Sequence, residues 1–343
     1  MFDKLILIPL LALLLPGCNN AKENTETKVY NNPVIQIPVP DPTVMRASDG
    51  YYYLYGTENI RNLPIFKSKN LTDWEEIGTA FTDETRPDFL PDNKDNEDNA
   101  HASIWAPEIR EIKDKYVLFY SLARWGKHWV STVGYAVADR PEGPFTAKGK
   151  VFDSRDVDVE NSIDQFFYEE NGKYYMLWGS FFGIYLMELN VDDDLNITPI
   201  IDTKQQIAGN AYEGINLWKR DGYYYLFGSI GTCCEGANST YKTVVGRSKS
   251  LHGPYVDKQG NRMLDNAHEL VLEGNERFVG TGHNSILVTD DADNTWMIYH
   301  GFELENLDAK RQVFLDRVLW DKEGWPYIVN KVPSGEAVAP SIK

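Results

Sequence analysis

Asp221-Gly222-Tyr223-Tyr224-Tyr225-Leu226-Phe227 is the stretch on which the fold turns. An Asp-Gly pair supplies the positive φ angles of a tight hairpin, and the unbroken apolar run after it suits a strand covered on both faces. The same phrase occurs at Asp49-Gly50-Tyr51-Tyr52-Tyr53-Leu54-Tyr55 and Asp114-Lys115-Tyr116-Val117-Leu118-Phe119-Tyr120. It returns at Asn171-Gly172-Lys173-Tyr174-Tyr175-Met176-Leu177-Trp178 and Asp293-Asn294-Thr295-Trp296-Met297-Ile298-Tyr299. Intervals of about 50 to about 70 residues leave room for a four-stranded antiparallel sheet in each repeat.

Later segments repeat as well. Ser68 to Trp74, Ala138 to Phe145 and Ser248 to Tyr255 each place a polar turn before an aromatic residue on the next strand. No segment sustains a helical apolar period between caps, so helices are expected to be few and short. Together these features predict an all-β, five-bladed β-propeller of four-stranded antiparallel blades, formed as one domain over residues 31–343.

Residues 1–17 carry Lys4 and then an apolar stretch from Leu5 to Leu15, with the length and flanks of a secretory leader. Leu15-Pro16-Gly17-Cys18 resembles a bacterial lipobox, which implies cleavage before Cys18 and lipid attachment at its thiol. Residues 18–30 are polar and are expected to form a tether, giving an exported bacterial lipoprotein whose only membrane link is the lipid. Acidic residues exceed basic ones by 17 and no Lys/Arg cluster occurs, which excludes the electrostatics of nucleic-acid binding. Cys233 and Cys234 are adjacent, and adjacent cysteines rarely bridge, so no disulfide is expected to hold the fold. A monomer is expected.

In a propeller the first strand of each blade lines the axis, so carboxylates entering these strands should converge at one mouth. Asp41, Asp164 and Glu213 each lie shortly before an aromatic hairpin, in three different repeats. Crowded, buried carboxylates push each other's pKa values apart, and glycosidic hydrolysis needs such a pair. Most other acidic residues, including those in the loop Asp83 to Asp98, read as solvated surface.

With these pieces in place the chain resembles glycoside hydrolase family 43. The matching motifs are Asp41-Pro42, Trp105-Ala106-Pro107-Glu108, Ser162-Ile163-Asp164, Glu213-Gly214, Gly282-His283-Asn284-Ser285, and Trp320-Asp321 with Gly324-Trp325-Pro326. The resemblance implies an inverting hydrolase in which Asp41 is the general base, Glu213 the general acid and Asp164 the modulator of that acid. It implies sugar contacts from Trp105, Asn161, Ser180 and His283, with Arg317 touching substrate or pairing with Asp164. It further implies a calcium ion at His283, ligated mostly by water. A histidine simply hydrogen-bonded in the channel is the other reading, since calcium prefers oxygen.

Asn161-Ser162-Ile163-Asp164, Gly179 to Gly183 and the Ser229 to Gly236 loop are similar to the arabinanase branch. The expected substrate is therefore arabinan, or another arabinose- or xylose-containing polysaccharide or oligosaccharide. The alternatives are a β-xylosidase, an exo-arabinofuranosidase, or a surface glycan-binding propeller without catalysis.

Overall fold

The computed structural model describes residues 28–57, 62–87 and 103–342. The expected leader, Cys18 and the acidic loop from residue 88 onward lie outside the described residues.

Five antiparallel sheets follow one another in chain order. Blade 1 comprises Thr43–Arg46, Tyr52–Tyr55, Pro64–Ser68 and Trp74–Thr79, and blade 2 comprises Ser103–Ile112, Lys115–Ala123, Thr132–Ala138 and Thr146–Asp153. Blade 3 is built from Phe166–Glu170, Lys173–Trp178, Ile184–Val191 and Ile197–Pro199, with Gln205–Ala208 paired beside it. Blade 4 has Glu213–Arg220, Tyr223–Ile230, Lys242–Ser248 and Glu269–Leu272. Blade 5 has Phe278–Gly282, Thr295–Glu303, Gln312–Trp320 and Pro326–Tyr327, with the short strand Val288–Thr289 added. Among the described residues helical segments are short 3-10 turns, the longest being Leu304–Ala309. The fold is an all-β, five-bladed propeller.

Each aromatic phrase is the second strand of its blade, and its alternation explains why the run is apolar throughout. Tyr53 and Tyr55 pack toward blade 2, whereas Tyr52 and Leu54 pack toward blade 5. In blade 3, Met176 and Trp178 face blade 2 while Tyr175 and Leu177 face blade 4. In blade 4, Tyr224 and Leu226 face blade 3 while Tyr225 and Phe227 face blade 5. Successive strand residues point to opposite faces, so a strand between two neighbouring blades must be apolar at every position. The five clusters correspond to the five interfaces between adjacent blades. Each fully buried large side chain contributes roughly 1.5–3 kcal/mol to holding the ring.

The ring closes through its N-terminal segment. Val29–Asn31 pairs with Glu336–Val338, and Asn32 donates from Nδ2 to the Leu315 carbonyl at 2.8 Å. Val29 and Tyr30, expected in the tether, therefore belong to the fold. Tyr30 packs beside Trp296 in the cluster between blades 5 and 1, burial that a free tether lacks.

Candidate active site

At the axial end of every blade the backbone bends through one left-handed residue. These are Asp41 (φ 53°), Ala106 (φ 40°), Asp164 (φ 58°), Gly214 (φ 57°) and His283 (φ 48°). For a non-glycine residue such a conformation costs of order 1–3 kcal/mol and persists only where the surroundings enforce it. The enforcing partners follow a rule. The Asp41 N–H donates to His300 Nδ1 of blade 5 at 3.0 Å, and the Ala106 N–H donates to Thr57 Oγ1, just past the second strand of blade 1, at 2.7 Å. The Asp164 N–H donates to Ser121 Oγ of blade 2 at 3.2 Å, and the His283 N–H to Ser229 Oγ of blade 4 at 2.8 Å. Each kink is thus pinned by a polar side chain near the end of the preceding blade's aromatic strand.

Blade 4 breaks the rule. The Gly214 N–H donates to Asp164 Oδ2 at 3.0 Å, which frees the corresponding hydroxyl, Ser180, to donate to Glu213 Oε2 at 2.7 Å. Glycine is favoured at position 214: its φ is positive, and an added Cβ would stand 3.0 Å from the His283 ring and force it to shift.

Asp41, Asp164, Glu213 and His283 line one small cavity of about 100 Å³, together with Thr57, Trp105, Trp125, Ile163, Cys233, Cys234 and Arg311. This opens into a cleft of about 670 Å³ whose walls include Trp105, Trp125, His128, Asn161, Ser180, Phe181 and Glu213. Trp105 meets the largely exposed Trp125 edge-on, with ring centroids 6.3 Å apart. Asn161 is half-buried and donates from Nδ2 to the Ser180 carbonyl at 3.3 Å.

The carboxylates are driven in opposite directions. Burial pushes Asp41 up, but the Arg311 guanidinium leads the opposing effects that hold the carboxyl well below the usual carboxylate range. Arg311 donates from Nη1 to Asp41 Oδ1 at 3.0 Å, and Thr57 donates to Asp41 Oδ2 at 2.6 Å. Asp164 is pushed well up by burial, then by Glu213 and Asp41, despite its bond from Gly214. Glu213 is also raised by burial, against the lowering pull of Ser180 and of the nearby Tyr241 hydroxyl. His300 falls to about 4, chiefly through burial, and accepts at Nδ1, so it is a neutral ring with its proton on Nε2. One ionised carboxylate thus faces two carboxyls that hold their protons longer, which is the division of labour between a general base and a general acid.

The structure brings seven of the sequence-predicted residues to this mouth: Asp41, Asp164, Glu213, Trp105, Asn161, Ser180 and His283. Arg317 is not among them. It is exposed on the third strand of blade 5 and bonds Asn294 in the hairpin turn, because it pairs with Trp296 at the hairpin end of the strand, whereas the end nearest the carboxylates is that of Gln312 and Val313. The guanidinium at the site is Arg311, immediately before that strand. Cys233 and Cys234, expected to be unbridged, form a disulfide within the cleft wall, where the bend over residues 233–235 lets neighbouring side chains meet. Arg311, His300, Thr57 and Tyr241 escaped the sequence reading. His300, Thr57, Ser121, Ser180 and Ser229 nonetheless share a signal, a polar residue seven to nine positions after the start of an aromatic phrase.

The family model for glycosyl hydrolases family 43 matches residues 30–326. An extracellular exo-α-(1→5)-L-arabinofuranosidase of Cellvibrio japonicus is 33% identical over 318 residues, covering 86% of this chain and 88% of that protein. An extracellular endo-α-(1→5)-L-arabinanase of Bacillus subtilis is 30% identical over 296 residues, covering 83% and 86%. The structure of Cellvibrio cellulosa α-L-arabinanase complexed with arabinohexaose superposes with a TM-score of 0.72 at 30% identity, covering 85% of this chain and 96% of that one. With a match that spans every blade and an axial cluster of three carboxylates, the chain belongs to glycoside hydrolase family 43.

Proposed function

We propose that the protein hydrolyses α-L-arabinofuranosyl linkages of arabinan with inversion of configuration. The observation that carries this is the meeting of three carboxylates in one cavity, where Arg311 bonds Asp41 and draws its pKa down while burial pushes those of Glu213 and Asp164 up. Asp41 takes a proton from the water that attacks the anomeric carbon, and Glu213 gives one to the departing oxygen. Asp164 holds the Gly214 backbone and, as a like-charged neighbour, keeps the acid's proton in place. Arg311 fixes the charge and aim of Asp41. The relatives' arabinan-directed names support arabinan over xylan.

The test is turnover of the soluble protein, lacking residues 1–27, on linear arabinan. NMR of the first product should show the anomeric configuration inverted. Retention would overturn the assignment of Asp41 as base, and absence of release from arabinan, xylan and aryl glycosides would leave a glycan-binding protein.

A calcium ion beside His283 belongs to this reading. Among the described residues no group of three or more His, Cys, Asp or Glu side chains could hold a metal. Beneath the carboxylates, however, His283 lines a narrow cavity with Asn216 and Asn284, whose buried Oδ1 atoms have no hydrogen-bond partner. Oxygen donors of this kind suit a hard, mostly hydrated cation. Such an ion would supply positive charge under the acids. A chelator that leaves both activity and thermal midpoint unchanged would remove the ion from the scheme.

The leader 1–17, lipidation at Cys18, a tether ending near Lys28 and a monomeric catalytic domain complete the proposal. The relatives' extracellular location supports export. Metabolic labelling with a palmitate analogue, lost in Cys18→Ala, tests the anchor.

A further inference from the structure

We propose that the Cys233–Cys234 disulfide is a substrate-contacting wall of the cleft, packing against the apolar face of a furanosyl residue bound beside Glu213; the proposal rests on the arabinan reading above. Both cysteines line the small cavity of the carboxylates and also the wider cleft, so they stand where the two meet. Trp105 and Trp125 of blade 2 line the same two spaces. Two apolar surfaces from non-adjacent blades therefore border the space in front of the acid.

A structural staple is the competing explanation, and two observations weaken it. A crosslink between adjacent residues closes no loop, so it removes almost none of the chain entropy through which disulfides ordinarily stabilise. The loop is also secured by other means. Thr240 and Tyr241 both donate backbone N–H groups to the Thr232 carbonyl at 3.1 Å, and Glu235 N–H donates to Ser239 Oγ at 2.9 Å. The bond instead changes what the loop presents. Two thiols, each a weak donor with a titrating proton, become uncharged, polarisable sulfurs without a proton. Beside an acid that must stay protonated, such a wall adds no charge.

The decisive measurement is calorimetric binding of arabino-oligosaccharides to the Glu213→Gln protein, with and without the added pair Cys233→Ser and Cys234→Ser. Alongside it, KM and kcat are measured for the otherwise wild-type pair variant and for wild type reduced with a phosphine. No sulfhydryl of the loop should alkylate before reduction, and two should afterwards. Affinity should fall about tenfold and KM rise to match, with kcat and thermal midpoint little changed, and reduction should reproduce the effect without any substitution. Unchanged affinity and KM in both the variant and the reduced enzyme would leave the bond a local feature of the loop and overturn the proposal. Wild type without turnover on arabinan would instead bring down the functional reading, and this inference with it.

Discussion

The backbone N–H of Gly214 donates to Asp164 Oδ2 at 3.0 Å, where in the other four blades the equivalent N–H is met by a hydroxyl or imidazole of the preceding blade. A carboxylate at this point ties Asp164, the proposed modulator, to the residue next to Glu213, the proposed acid. Asp164→Asn removes one proton site from a coupled pair whose alkaline titration belongs to both members. The alkaline limb of kcat/KM should move to lower pH, and kcat should fall about 10²-fold or more. A pH–rate profile of the variant checks both.

Ser180 donates to Glu213 Oε2 at 2.7 Å and lowers that carboxyl's pKa. Ser180→Ala should therefore raise it and shift the alkaline limb to higher pH, opposite in sign to Asp164→Asn. Loss of one hydrogen bond to a charged group is worth about 1.5–3 kcal/mol, so kcat should drop by roughly 10- to 100-fold. Parallel profiles of the two variants decide the sign.

Arg311 holds Asp41 ionised. Arg311→Met should raise the Asp41 pKa and move the acidic limb to higher pH, cutting activity most steeply below neutrality. Arg311→Lys should recover only part, because an ammonium on a flexible stem does not reproduce a planar guanidinium. Steady-state rates between pH 4 and 8 provide the check.

Gly214→Ala forces a β-carbon into left-handed backbone against His283. The strain should cost about 1–3 kcal/mol of stability. Because Glu213, the proposed acid, is the preceding residue, kcat should fall more than the thermal midpoint alone would suggest. Melting and kinetics measured on one preparation separate the two effects.

Glu108 is buried beneath the site, bonded by Thr43 at 2.8 Å, and pushed up to about 7 by burial despite its pairing with Arg110. Its folded pKa exceeds the unfolded value, so the associated stability is present below about 4.5 and lost as pH rises through about 7. Between pH 5 and pH 8 wild type should lose more stability than Glu108→Gln, by an amount on the order of 1–3 kcal/mol. Urea midpoints at the two pH values give the difference.

The five blades were legible because the information is local. Asp-Gly or Asn-Gly turns set the hairpins, and an apolar residue at every position marks strands sandwiched between neighbours. The carboxylates were legible because they recur at one distance before those hairpins. His300 carried a readable signal too, as a polar residue closing the fifth aromatic phrase, and so did Thr57 and Ser180 at the ends of the first and third.

Closure of the ring decided the rest. Arg311 and Asp41 are 270 positions apart and meet only because the first and last blades become neighbours. Nothing local distinguishes Arg311 from Arg317, six positions on; the path of the chain into the strand points one to the axis and the other to solvent. Likewise the bridge between Cys233 and Cys234 follows from the bend that carries them over the cleft. By itself the sequence determined which segments pair and which carboxylates enter the axis, since strand alternation and turn chemistry act over a few residues. Which charges those carboxylates face was settled by tertiary structure, because burial and Coulomb interaction depend on distances that only the closed ring sets.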